Sequence, residues 1–188
     1  MLKIIQQYGL DGLDLDIEAP AAEDSILKLL QWLNRDLGPS FILTVAPVNL
    51  NMDGTRHSWA GDLNYTALDN RAIAPNKPNG KLIDWFNVQF YCCGPVQMTP
   101  QYIDMIKYGW QPERLVLGVA TYNWPNSGWR TLVEYKKMVI LLRTLYPTFG
   151  GVMGWEYLDA GTNDTTVVDR AERWKWVQGI GDALFKNL

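Results

Sequence analysis

The sequence predicts an α/β fold, specifically part of a (β/α)8 TIM-type barrel with about five of the eight βα units present. Three observations lead there. Strand-like and helix-like segments alternate along the chain, the mark of parallel βα units. No low-complexity tract or linker interrupts that order. The first strand-like segment carries acids on one face and aliphatics on the other. The competing architecture, an open doubly wound sheet, covers both faces with helices and has strands apolar on both sides. A strand that is apolar outward and acidic inward fits a barrel wall instead.

The opening MLKIIQQYGL has the pattern of the second half of a helix. Residues 12–17 form the first strand, and its period of two sends Leu13, Leu15 and Ile17 to one face. Gly12, Asp14, Asp16 and Glu18 go to the other. Residues 22–36 form an amphipathic helix stopped by Gly38-Pro39. FILTVAP, 41–47, is the second strand. Residues 48–83 are loop-rich, broken by Pro75, Pro78 and Gly80, with a short helix near 63–70. WFNVQFY, 85–91, is the third strand. A helix follows over 99–108, with Thr99 as N-cap and Gly109 as C-cap. RLVLGVAT, 114–121, is the fourth strand, and 131–146 is a helix ended by Pro147. GGVMGWEY, 150–157, is the fifth strand, and 168–185 a closing helix.

A complete barrel of this kind takes about 250 residues, and this chain has 188. A sheet short of three strands exposes two long edges. The expectation is therefore that residues 1–188 are the C-terminal part of a single catalytic barrel, a fragment or partial product lacking the first three strands; a complementing partner or a true minimal form are the alternatives.

Hydrophobic residues make up 47% and charged residues 20%, an ordinary globular profile. A net charge of −3 gives no electrostatic case for nucleic acid or an anionic membrane as partner. No apolar run reaches the roughly 18 residues a bilayer span needs. No basic-then-apolar leader pattern opens the chain, which leaves localisation undecided. Cys92 and Cys93 are adjacent, a geometry that strains a disulfide, so they read as free thiols. Asn64-Tyr65-Thr66 and Asn163-Asp164-Thr165 match the glycosylation pattern, which is common by chance. The anomaly is nine tryptophans in 188 residues. Tryptophan fills cores and also makes flat platforms for sugar rings; composition does not separate the two uses.

The inward residues of the first strand advance by about 6.6–7 Å per pair. Asp14, Asp16 and Glu18 therefore form a row leading to the C-terminal strand end, where barrel active sites sit. The row is expected inside a barrel mouth, where carboxylates so close together retain at least one proton among them. The outermost, Glu18, is best placed to reach a substrate as a general acid. Two other readings stand beside this one. Acids near a strand end can be merely solvated, although strict i, i+2, i+4 spacing with aliphatics between is hard to explain as surface. Carboxylates alone can also hold magnesium or calcium, but His57 is the only histidine and lies in a loop, and no phosphate cradle is present. No metal and no cofactor are expected.

The run Asp11-Gly12-Leu13-Asp14-Leu15-Asp16-Ile17-Glu18 matches the DxxDxDxE signature and resembles the family-18 glycoside hydrolases, the chitinase-like enzymes. VQFY, 88–91, looks like that family's sixth strand and GGVMGWEY, 150–157, like its eighth. On this likeness the chain holds the fourth to eighth strands. The plain chitinases are the nearer likeness, because no insertion stands between 121 and 150.

The resemblance implies an endo-acting hydrolase of β-1,4-linked N-acetylglucosamine polymers, working by the substrate-assisted exception among retaining glycosidases. Glu18 would protonate the glycosidic oxygen, while the substrate's own acetamido oxygen attacks the anomeric carbon to give an oxazolinium ion. Asp16 would orient the acetamide, and Asp14 would share a proton with Asp16. Tyr91 would hydrogen-bond the acetamido oxygen, with Gln89 beside it. Trp155 would be the floor beneath the sugar, with Trp124 and Tyr157 in further subsites. Asp11 differs in parity from the other acids and reads as structural. Partners implied are chitin or N-acetylglucosamine oligosaccharides; oligomeric state is not legible. Many members carry Asp or Asn after the sixth-strand Tyr, where this chain has Cys92, a weak hydrogen-bond group. Two rivals stay open: an endo-β-N-acetylglucosaminidase acting on N-linked glycans with the same acids, and a non-catalytic chitin-binding or inactive fragment. Lectin-like members usually lose the acid, so Glu18 counts against the latter.

Overall fold

Side-chain alternation along an extended backbone sets the first layer. In β1 (Gly12–Leu15) the two leucines are partly covered and Asp14 is exposed. Its parallel neighbour β2 (Ile42–Val45) pairs Leu13 with Leu43, Asp14 with Thr44 and Leu15 with Val45. In β3 (Trp85–Gln89), Trp85 continues the Asp14–Thr44 row and Phe86 the Leu15–Val45 row. Asp14 and Thr44 thus share one face, while Leu15, Val45 and Phe86 share the other. A Cβ on Gly12 would lie 2.7 Å from the Ile42 carbonyl oxygen, so close approach of β1 to β2 requires glycine there. The computed structural model describes residues 1–53, 62–91, 97–160 and 171–186; His57, Cys92, Cys93 and Asn163 lie outside them.

With β4 (Leu115–Ala120) and β5 (Val152–Trp155) the strands form one five-stranded sheet in the order β1-β2-β3-β4-β5. Each strand takes the next sequential strand as its neighbour, the order that successive βα units produce. The strands are shorter at their ends than the sequence pattern predicts, because ladder hydrogen bonds stop before hydrophobic alternation does.

The chain clusters into two compact units, Met1–Asn87 and Val88–Leu188, with β3 running across the boundary. The first unit holds α1 (Leu2–Tyr8), α2 (Glu23–Leu37) and α3 (Tyr65–Arg71). Leu30 and Leu33 of α2, Leu43 and Val45 of β2, Leu68 of α3 and Phe86 are among its buried apolar residues. Glu23 and Asp24 stand in the first turn of α2, where the helix dipole favours negative charge. The Asn64 side-chain oxygen accepts the Ala67 N–H at 2.9 Å and caps α3. The segment before β3 is pinned by a buried cation: Lys77 Nζ reaches Asp84 Oδ2 at 2.5 Å and the Phe41 carbonyl at 3.0 Å. The Leu43 N–H donates to the same Asp84 oxygen at 2.8 Å.

The second unit holds α4 (Met98–Tyr108), α5 (Leu132–Leu145) and α6 (Trp174–Phe185). The N-cap of α4 is Gln97, not Thr99 as the sequence predicts. Helical backbone begins one residue before Thr99, and Pro100 is tolerated because the first-turn N–H groups lack intrahelical acceptors anyway. For α5 the cap is Thr131, in a full capping box with Glu134. Gly154 of β5 is where α6 packs: a Cβ there would lie 2.8 Å from the Trp176 ring. Among the tryptophans, Trp110 and Trp176 are buried while Trp32, Trp155 and Trp174 are about half exposed.

Candidate active site

The acid row starts on β1. Asp14 Oδ1 accepts two hydrogen bonds, from Thr44 Oγ1 at 2.5 Å and from Asn87 Nδ2 at 3.1 Å. Asn87 is itself oriented, because its side-chain oxygen accepts the Trp85 Nε1–H at 3.2 Å. Donors on β2 and β3 thus hold the first acid in one pose. Asp16 and Glu18 follow at the C-terminal end of β1, on the same parity as Asp14. The Asp11 carbonyl accepts the Ile42 N–H at 2.9 Å, which starts the β1–β2 ladder.

One expectation is corrected. Asp14, Asp16 and Glu18 are exposed, not enclosed in a mouth. Among the described residues β1 stands at the edge of the sheet, with β2 as its strand neighbour.

The aromatic residues belong to the second unit. Gln89 ends β3, and Tyr91 follows two residues on; both are buried. Tyr91 lies parallel to Trp155, with ring centroids 6.2 Å apart and planes 17° apart. Trp124 meets Tyr91 edge-on at 6.4 Å. Trp155 is 48% exposed, so it is not a plain core residue. Its backbone is tied to β4: the Thr121 N–H donates to the Trp155 carbonyl at 2.9 Å, and Thr121 Oγ1 donates to the Glu156 carbonyl at 2.6 Å. The Trp155–Glu156 peptide is cis. Below, Tyr135 of α5 donates its hydroxyl to the Ala120 carbonyl at 2.9 Å, and burial pushes that phenol above its ordinary range. Tyr157 begins a short 3-10 turn and lines a groove with Thr121, Gly154 and Trp176 of α6.

Sequence reasoning missed Thr44, Asn87 and Thr121. Each had a visible signal, a polar residue at the parity of the acidic face or at a strand end. What could not be read was which carboxylate or carbonyl it would meet. Among the described residues, no group of three or more His, Cys, Asp or Glu is arranged to hold a metal ion.

Parallel βα units with an oriented carboxylate on an edge strand, and two more acids just beyond its C-terminal end, define the class: part of an α/β barrel with an acidic strand end. The chain belongs to the glycosyl hydrolases family 18, whose model matches residues 1–178. It is similar to a fungal endo-beta-N-acetylglucosaminidase from that family, with 31% identity and a TM-score of 0.81, over 100% of this chain and 61% of the other. It is also similar to the chitinase ChiC from Aspergillus fumigatus, at 29% identity and a TM-score of 0.75, over 96% of this chain and 60% of the other. A putative chitinase A from Streptomyces coelicolor, at 19% identity and a TM-score of 0.70, shares the fold over 98% of this chain and 64% of the other. The chain thus spans about three fifths of the first two structures' lengths. No curated protein sequence matches it.

Proposed function

We propose that this chain is the fourth-to-eighth-strand portion of a single catalytic barrel domain that cleaves β-1,4-linked N-acetylglucosamine polymers internally, taking part in chitin degradation. The observation that carries the reading is the DxxDxDxE run laid along β1, with Asp14 fixed by Thr44 and Asn87 and the remaining acids at the strand end where barrel chemistry occurs.

In the first step Glu18 gives its proton to the glycosidic oxygen as the C1–O bond breaks, and the acetamido oxygen of the same sugar forms the new bond to C1. Asp16 orients that acetamide and balances the positive charge on the oxazolinium ion. Asp14, held by its two donors, keeps Asp16 in place. Tyr91 donates to the acetamido oxygen, Gln89 supports it, and Trp155 with Trp124 offers aromatic faces to pyranose C–H surfaces. In the second step Glu18, now ionised, takes a proton from water. The water oxygen bonds to C1, the acetamide is released, and configuration is retained.

The test is hydrolysis of a fluorogenic N-acetylchitooligosaccharide by the 188-residue chain beside its Glu18→Gln variant. Release by the first and a loss of at least about 10²-fold in the second supports the assignment. Turnover unaffected by Glu18→Gln would overturn it. Cleavage of an N-glycan core in preference to the chito-oligomer would redirect the substrate.

A further inference from the structure

The Gly151 and Trp155 carbonyls accept the Leu117 and Thr121 N–H groups on the β4 side, each at 2.9 Å. Successive residues of a strand turn their backbone groups to opposite edges, so Val152 and Gly154 direct theirs away from β4. Among the described residues no strand follows β5 in the sheet. Such an edge is a template for another strand.

Beside that edge runs α6. One of its faces is anchored, with Trp176, Ile180 and Ala183 buried and the Trp176 ring against Gly154. Another face is apolar and open: Trp174, Val177 and Phe185 are each half exposed or more, and with Gly181 they fall on one stripe of the helix. Between strand and helix lies a groove of about 290 Å3, lined by Val152, Gly154, Val177, Ile180, Leu184 and Phe185 among others. No charged side chain lines it, and Thr121 Oγ1, at its margin, already donates to the Glu156 carbonyl. A small-molecule pocket starts at about 300 Å3 and orients its ligand with converging polar groups. This groove lacks those groups and suits apolar side chains.

We propose that the β5–α6 groove is the docking site of a further βα unit. Its strand runs parallel to β5, bonds the backbone of Val152 and Gly154, and sends a large apolar side chain into the groove; its helix lies on Trp174, Val177 and Phe185. The occupant follows from size. A closed βα barrel has eight strands, and the described sheet has five. The two related structures run on for about two fifths of their length beyond what this chain matches. The proposal rests on reading this chain as part of a barrel; it adds the surface that receives the remainder and the chemistry that surface selects.

The experiment joins the first three βα units of the fungal endo-beta-N-acetylglucosaminidase ahead of Met1 and compares this fusion with the 188-residue chain. Amide hydrogen exchange at Val152 and Gly154 is expected to slow at least about tenfold in the fusion. Val177→Asp should move the melt of the 188-residue chain by less than about 1 °C, as an exposed substitution does. In the fusion the same carboxylate is buried without a partner, and the melt should fall by at least about 4 °C. Equal exchange at both amides in the two proteins, or an equal effect of Val177→Asp on both melts, overturns the proposal. So does a 188-residue chain that sediments as a dimer and becomes monomeric on Val177→Asp, since the groove then belongs to a second copy. None of these readouts uses substrate, so hydrolysis decides the catalytic reading separately.

Discussion

The Thr44 hydroxyl donates to Asp14 Oδ1 across 2.5 Å, joining residues 30 positions apart in sequence. The contact exists because β1 and β2 are parallel with Asp14 directly opposite Thr44, both on the polar face. Cross-strand register turns two unrelated sequence positions into one oriented carboxylate.

Removing that donor should cost chemistry and folding about equally. Thr44→Val is expected to lower kcat by about tenfold and stability by about 1.5 kcal/mol, the low end for a hydrogen bond to a charged group. Thr44→Ser, which keeps the hydroxyl, should recover most of both. Equal loss in the Ser and Val variants, measured by kinetics and thermal melts, would return Thr44 to packing alone.

Trp155 presents an accessible ring face next to Tyr91. Trp155→Ala is expected to weaken binding of N-acetylglucosamine oligomers roughly five- to tenfold, the order of one aromatic contact. Titration calorimetry against the tetramer checks this, and unchanged affinity would remove Trp155 from the sugar platform.

Lys77 is a structural cation. Its side chain is 1% exposed and its partner Asp84 18% exposed. Deleting one member of a buried pair costs about 3–5 kcal/mol. For Lys77→Met we expect the low end, because Asp84 keeps the Leu43 N–H and some water. Denaturant unfolding of the variant measures it; a loss below about 1 kcal/mol would mean the pair is nearly balanced by its desolvation.

The capping box of α5 carries a pH signature. The Thr131 backbone N–H, and then its hydroxyl, hold Glu134 below its usual value of 4.5. A depressed folded value means stabilisation that is present above about pH 4.5 and lost as pH falls through the lower folded value. The stability gap between parent and Glu134→Ala should therefore be widest near neutrality and close toward pH 3 or so. Thr131→Ala should cost about 1 kcal/mol at neutral pH. A gap that is constant with pH would show that the charge contributes nothing.

Much of this molecule was legible one residue at a time. Alternation of Leu13, Asp14, Leu15 and Asp16 specifies an extended strand with one acidic face, because strand side chains point in opposite directions by turns. Thr131 and Glu134 specify a helix start because capping is a contact over three residues. Helix ends at Gly38 and Gly109 are local for the same reason. Thr99 misled, since its cap signal competed with a helix that starts one residue earlier at Met98. Tertiary structure alone decided the rest. Asn87 meets Asp14 across 73 positions, Tyr157 lines a groove with Trp176 of α6, and the acids lie open to water. Each of these depends on strand register or on which strand is an edge. Those are properties of the whole sheet, settled by the burial of its apolar face, and no periodicity within a single segment contains them.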